Sequence, residues 1–178
     1  MPLTSEQRRT VMGHPAGWIA SGFGAGLSPF APGTAGSLVA LPIYVLLHAA
    51  HPLLPWLAVA LVFAVGTWAA GWVIRTIGIE DPGVVVIDEF VGQWLALAIV
   101  DAALRQFPGA LPTPSTLALL LVGFLLFRLC DIVKPWPASW ADRHLHGGFG
   151  AMLDDAFAGV WAGLLAIVAL AGAAHWAR

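Results

Sequence analysis

The stretch GFGAMLDDAFAGVWAG, Gly148 to Gly163, sets two adjacent acids, Asp154 and Asp155, at the mouth of an apolar run over 156–176. About 20 predominantly apolar residues cross the roughly 30 Å hydrocarbon core of a bilayer, and this run is long enough to do so. An acid in or beside a span costs about 2.5–3.5 kcal/mol on insertion scales. The chain is otherwise sparing with charge. Of its 178 residues, 59% are hydrophobic and 10% charged, and the mean hydropathy is +0.83. A soluble domain averages about 25% charged residues, so these few could not cover a soluble surface of this size. The expectation is an all-α integral membrane protein, with 1–178 as one domain.

Working outward, further apolar runs fall at about 36–50, 53–74, 90–104 and 115–130. Together with 156–176 they predict a compact bundle of about five transmembrane helices. Four is the alternative, because the runs at 36–50 and 90–104 are short and need tilt, an interior position or local bilayer thinning. Lysine and arginine favour the cytoplasmic side of a span. Five spans with the N-terminus inside put Arg8, Arg9, Arg75, Arg128, Lys134 and Arg143 inside, and Arg105 and Arg178 outside. The tryptophans at 56, 136, 140 and 176 suit an interfacial belt.

This topology gathers four unusual segments on one face. They are SGFGAGLSPFAPGTAGS (21–37), EDPGVVVIDEFVGQW (80–94), FRLCDIVKPWPASWADRHLHGG (127–148) and GFGAMLDDAFAG (148–159). Charge excludes some partners: the net charge is −2 and no basic run suits nucleic acid. Cys130 is the single cysteine, so an internal disulfide and a thiolate metal site are both ruled out. No small-residue repeat argues for a dimer, and the oligomeric state stays open.

Candidate chemistry lies in the same four segments. Asp88 and Glu89 open the third run, where a helix dipole favours acids and simple capping competes. Two adjacent acids exceed what a cap needs, and Asp154–Asp155 repeat the pattern, which points to a shared cation. Arg128 and Asp131 stand at i, i+3 on one helical face, and Pro135 turns Lys134 out of helical geometry. The turn PGTAGS (32–37) offers Thr34, Gly36 and Ser37 before an apolar helix, either as caps or as an anion site. His144 and His146 in DRHLHGG are read as a polar headgroup-facing loop. The five acids Asp88, Glu89, Asp131, Asp154 and Asp155 are oxygen-only ligands. Such a set suits a hard cation, and Mg²⁺ is usual where phosphate is the substrate. Arg128, Lys134, Arg143 and the PGTAGS turn would hold phosphate oxygens. Metal, cation and helix terminus together suit phosphoryl transfer.

The stretches GFGAGLSPFAPGTAGSL, VVVIDEFVGQWLAL and FRLCDIVKPWPASWADRHLHGGFGAMLDDAFAGVWAG resemble the phosphatidylglycerophosphatase A family. The motifs PGTAGS, IDE, FR-x-x-D-x-x-KPWP and GG-x-G-x-M-x-DD-x-x-AG follow in the family's order. Cys130 stands where an aromatic residue is common, a change in packing only. The resemblance implies a bacterial inner-membrane, Mg²⁺-dependent phosphatase. Its substrate would be phosphatidylglycerophosphate, its product phosphatidylglycerol, and its partners the surrounding lipids, with the active site on the cytoplasmic face.

On this reading Asp88, Asp131, Asp154 and Asp155 ligate the metal. Glu89 ligates it or accepts the attacking water's proton, and Lys134 and Arg128 stabilise the phosphoryl charge. A covalent aspartyl-phosphate route is the alternative, although D-x-D-x-[TV] is absent. A small ion or lipid transporter is the competing function. Acids on a permeation path would be spread through the membrane's depth, whereas here only Asp101 lies near the other face.

Overall fold

The computed structural model describes residues 3–176, and the described residues form helices and no strand. Two short helices come first. Thr4 and Gln7 close a capping box on α1 (Ser5–Met12), satisfying two otherwise orphaned N–H groups. Pro15 opens α2 (Pro15–Ala20), with the His14 ring accepting from the Ala16 N–H at 3.1 Å. A tight turn through Gly22, Phe23 and Gly24, all at positive φ, then leads to α3 (Pro32–Ala50). The remaining long helices are α4 (Leu54–Ile77), α5 (Ile87–Gln106), α6 (Thr116–Val133) and α8 (Gly147–Trp176), with the short α7 (Ala138–His144) between the last two.

Each of the five apolar runs falls on one long helix, α3, α4, α5, α6 or α8, and the helices extend past the runs by a few residues, α8 by nine at its start. Four of these, α3, α4, α6 and α8, are long and apolar enough to cross a membrane. The fifth, α5, has 20 residues, about 30 Å of helix, but carries Asp88, Glu89, Asp101 and Arg105 near its ends. It is the interior element of the bundle, as one reading of its short run expected. Phe90, Val91, Trp94, Leu97 and Ala98 of α5 are buried against Ala40 and Tyr44 of α3 and Met152 of α8. The Trp94 indole N–H donates to the Ala40 carbonyl at 2.8 Å. By contrast Leu117, Leu121, Leu125 and Leu129 form an exposed stripe along α6, the spacing of a face turned to lipid.

The bundle is tightest where α5 crosses α8. A Cβ placed on Gly92 would lie 2.7 Å from the Asp155 carbonyl oxygen and would collide with the Phe127 ring of α6. A Cβ on Gly159 would collide with the Gly92 carbonyl oxygen. Backbone meets backbone, so nothing can yield without moving a helix. Asp88 stands four residues before Gly92, and Asp155 four before Gly159. One helical turn from the crossing, the two acids therefore share an end of the bundle.

The far end of α3 and α5 holds a separate polar group. Tyr44 donates to Asp101, His48 Nδ1 lies 3.0 Å from Asp101, and Arg105 lies 2.8 Å from His48 Nε2. The placement of Arg178 and of the Trp176 side chain lies outside the described residues.

Gly159→Val should be overpacked, at a cost of about 1–3 kcal/mol, and should lower the thermal midpoint in detergent micelles. Gly172→Val, on the same helix with no atom near its Cβ position, should leave the midpoint in place. Equal midpoints for both variants would contradict the close crossing.

Candidate active site

Four helix ends converge on one cavity of about 520 Å³. The N-terminal turn of α3 brings Gly33 and Thr34, and that of α5 brings Asp88 and Glu89. The C-terminal end of α6 brings Arg128, Asp131 and Lys134, and α8 brings Asp154 and Asp155. All five acids predicted from the sequence line this cavity, as do Arg128, Lys134 and Thr34.

The side chains are built in two ion-paired arms. In the first, Arg128 pairs with Glu89 and, at 3.2 Å, with Asp131. Glu89 Oε2 also accepts the Ser37 hydroxyl at 2.7 Å. Its other oxygen, Oε1, lies against Gly33, where a Cβ would displace it. In the second arm Lys134 bridges Asp142 and Asp154, the latter at 2.6 Å. Lys134 caps α6 in the left-handed region at φ 49°, which carries its ammonium back toward α8. Burial pulls that ammonium's pKa down, but the two carboxylates outweigh it and the net shift is upward, so Lys134 stays charged at neutral pH.

Asp88 and Asp155 belong to neither arm. Among the described residues neither makes an ion pair. Asp88 accepts only the neighbouring Glu89 N–H, at 2.9 Å. Asp155 is buried, 5% exposed, a costly place for a carboxylate without a countercharge. Among the described residues, the two carboxylates of the five left without an ion pair are thus Asp88 and Asp155. Mg²⁺ is commonly held by one or two carboxylates plus waters and substrate phosphate, so this donor set fits the ion. The five acids expected as ligands share the cavity but not one cluster. Among the described residues no three such side chains come together as a ready cluster, because Glu89, Asp131 and Asp154 are drawn to Arg128 and Lys134.

Three predicted phosphate-binding residues lie off the cavity wall. Gly36 packs on Val86, where a Cβ would lie 2.8 Å from the valine Cβ. Ser37 is buried beneath Glu89 and donates to it rather than capping α3. The cap position is Ala31, with no side-chain bond, so the expected capping by Thr34 or Ser37 does not occur. Arg143 is exposed on α7 and does not line the cavity. His146 does line it, 3.9 Å from Glu80. Sequence reasoning missed Asp142, the second partner of Lys134. Its signal was an acid in a charge-poor chain, eight residues after a lysine followed by KPWP's prolines.

The acids gather at one end of the bundle, with Asp101 alone at the other, which is not the spread of a permeation path. The family model for Phosphatidylglycerophosphatase A matches residues 18–170. The chain belongs to that family. It is 39% identical over 156 residues to the Phosphatidylglycerophosphatase A of Escherichia coli, covering 85% of this chain and 81% of the relative. It is 35% identical over 150 residues to that of Haemophilus influenzae, covering 84% and 85%. A Bacteroides thetaiotaomicron protein described provisionally as a phosphatidylinositol-3-phosphatase is 41% identical over 157 residues, covering 85% and 91%. No solved structure matches the chain. The phosphatidylglycerophosphatase A motifs read from the sequence are therefore those of a lipid phosphatase in a multi-pass helical bundle.

Arg128→Ala should strand the buried Glu89 carboxylate, costing roughly 3–5 kcal/mol in denaturation from mixed micelles. Arg128→Met with Glu89→Gln should regain most of that stability. A single variant as stable as the parent would remove the first arm from the account.

Proposed function

We propose that the protein hydrolyses the terminal phosphomonoester of phosphatidylglycerophosphate, releasing phosphatidylglycerol and inorganic phosphate, with Mg²⁺ as cofactor. The reading is carried by one observation: two carboxylates without an ion pair among the described residues, Asp88 and Asp155, in a cavity that also presents Lys134 and Arg128. Alone, those carboxylates would repel a phosphate. With a divalent cation between them they would attract one. Asp88 and Asp155 would hold the ion, and Asp131 and Asp154 stand beside them. When bound, Mg²⁺ supplies charge neutralisation at the phosphoryl oxygens and makes the attacking water more acidic.

The chain's own groups do the rest. Lys134 has three donors and places two on Asp142 and Asp154, leaving one for a phosphate oxygen. Arg128 makes its contacts through one Nη1, which leaves Nη2 and Nε to donate. The free N–H groups at the start of α3, at Gly33 and Thr34, complete a cradle for negative oxygens. Glu89, anchored through Oε2, turns Oε1 toward Gly33 and accepts the water's proton there. As the water oxygen bonds to phosphorus the bond to the glycerol oxygen breaks, and that oxygen takes up a proton from solvent water, while the acyl chains remain among the helices.

Arg8, Arg9, Arg75, Arg128, Lys134 and Arg143 belong to the connections and helix ends on the site's side. The positive-inside rule then supports an active site on the cytoplasmic face of a bacterial inner membrane. The name of the Bacteroides relative favours testing other lipid monophosphates as well.

Purified protein in micelles should release phosphate from phosphatidylglycerophosphate in the presence of Mg²⁺ and lose this on chelation. Asp88→Asn, Asp155→Asn and Glu89→Gln should each cost on the order of 100-fold or more while still inserting. Near-normal Mg²⁺-dependent release by Asp155→Asn would overturn the assignment. Faster turnover of phosphatidylinositol 3-phosphate than of phosphatidylglycerophosphate would overturn the substrate.

A further inference from the structure

A second cavity, about 450 Å³, adjoins the active site. Leu3 and Arg8 of the N-terminal segment line it, with Leu27 and Ser28 of the turn before α3 and Val84 of the α4–α5 connection. Its inner wall is Pro32 and Gly83, and the same two residues line the catalytic cavity from the other side. The wall is thin: a Cβ on Gly83 would lie 3.5 Å from Pro32 Cγ, ordinary contact distance. The two cavities are therefore neighbours across a single ridge on one face of the bundle.

The electrostatics of this groove differ from those of the catalytic cavity. There, Arg128 and Lys134 are each engaged by two carboxylates. Here no acid lines the wall among the described residues, and Arg8 is the cationic lining residue. Among the described residues Arg8 makes no ion pair. Arg9, the next residue, does not line the groove. The exposed Phe23 and Phe30 flank the lining residues in sequence, apolar side chains of the kind that dip into the headgroup–acyl boundary of a bilayer.

We infer that the Arg8 groove is a second anion subsite that binds the phosphodiester of the substrate lipid while its phosphomonoester lies in the catalytic cavity. This rests on the proposed substrate. Phosphatidylglycerophosphate carries two phosphates joined by one glycerol, and a single ridge separates the groove from the cleavage site. The catalytic cations serve the monoester. The diester keeps one negative charge at neutral pH and needs a donor of its own, and guanidinium matches phosphate oxygens with paired N–H groups. A lipid whose only phosphate is the monoester would gain nothing from Arg8, so the groove sets specificity rather than rate.

The test is steady-state kinetics with phosphatidylglycerophosphate in mixed micelles with Mg²⁺, with inorganic phosphate as a competing ligand of the monoester site. Arg8→Ala should raise KM about tenfold and leave kcat within about twofold, the pattern of lost uniform binding. The inhibition constant of inorganic phosphate should stay where it was, and Arg8→Lys should recover part of the KM. Arg9→Ala removes the same charge one residue away and should leave KM unchanged. An unchanged KM in Arg8→Ala overturns the inference. So does an equal rise in Arg9→Ala, which would mean general attraction to the micelle, or a parallel rise in the phosphate inhibition constant, which would mean a disturbed catalytic cavity. If the parent protein releases no phosphate from this lipid, the proposed substrate fails, and the groove's role fails with it.

Discussion

The structure depends on how closely α5 and α8 approach each other. Gly92 and Gly159 allow the two backbones to touch, and no larger residue fits at either position without moving a helix. The crossing sets the register of both helices. Because Asp88 and Asp155 each precede their glycine by four residues, fixing the crossing fixes the acids one turn away, on the same face and at the same end. The Phe127 ring fills the remaining space over Gly92, which places the next residue, Arg128, beside Glu89. A packing constraint between small residues thus assembles an electrostatic site.

That site manages its charge unevenly. Three of its five acids are held by Arg128 and Lys134, each of which serves two carboxylates. Among the described residues the remaining two, Asp88 and Asp155, have no such partner. Asp155 is buried and Asp88 partly so, and a buried acid without a countercharge is expensive. Their level in the bundle is consistent with chemistry at a surface. From Asp88, α5 runs about 28 Å further, close to the thickness of the hydrocarbon core, so its acids fall at the boundary where a lipid phosphate and water meet.

Much of this was legible in the sequence, for identifiable reasons. Hydropathy is local, so each of the five apolar runs falls on one long helix, and the run at 90–104 is short because polar residues stand at both ends of a helix whose middle is largely buried. Acids beside apolar runs are costly, so Asp88–Glu89 and Asp154–Asp155 stood out, and the cavity does unite them. Helix rotation is less legible. Ser37 and Gly36 lie in the same short motif as Thr34, yet the turn of α3 faces them inward, and Ala31 rather than a hydroxyl residue begins the helix. Pairing is less legible still. Asp142 lies in a polar stretch where one more acid draws no attention, and only the backbone reversal at Lys134 brings the two together. The α5–α8 crossing left a trace in the shared spacing of acid and glycine, a relation between distant segments that neither reveals alone.

The central claim is the proposal that Asp88 and Asp155 would both serve to hold a divalent cation. It is tested most directly by electron paramagnetic resonance of Mn²⁺, used as a stand-in for Mg²⁺, with the purified protein in micelles. The account predicts bound Mn²⁺ that Mg²⁺ displaces, and its loss in both Asp88→Asn and Asp155→Asn with the fold intact by circular dichroism. Mn²⁺ bound as tightly by those two folded variants as by the parent would contradict it.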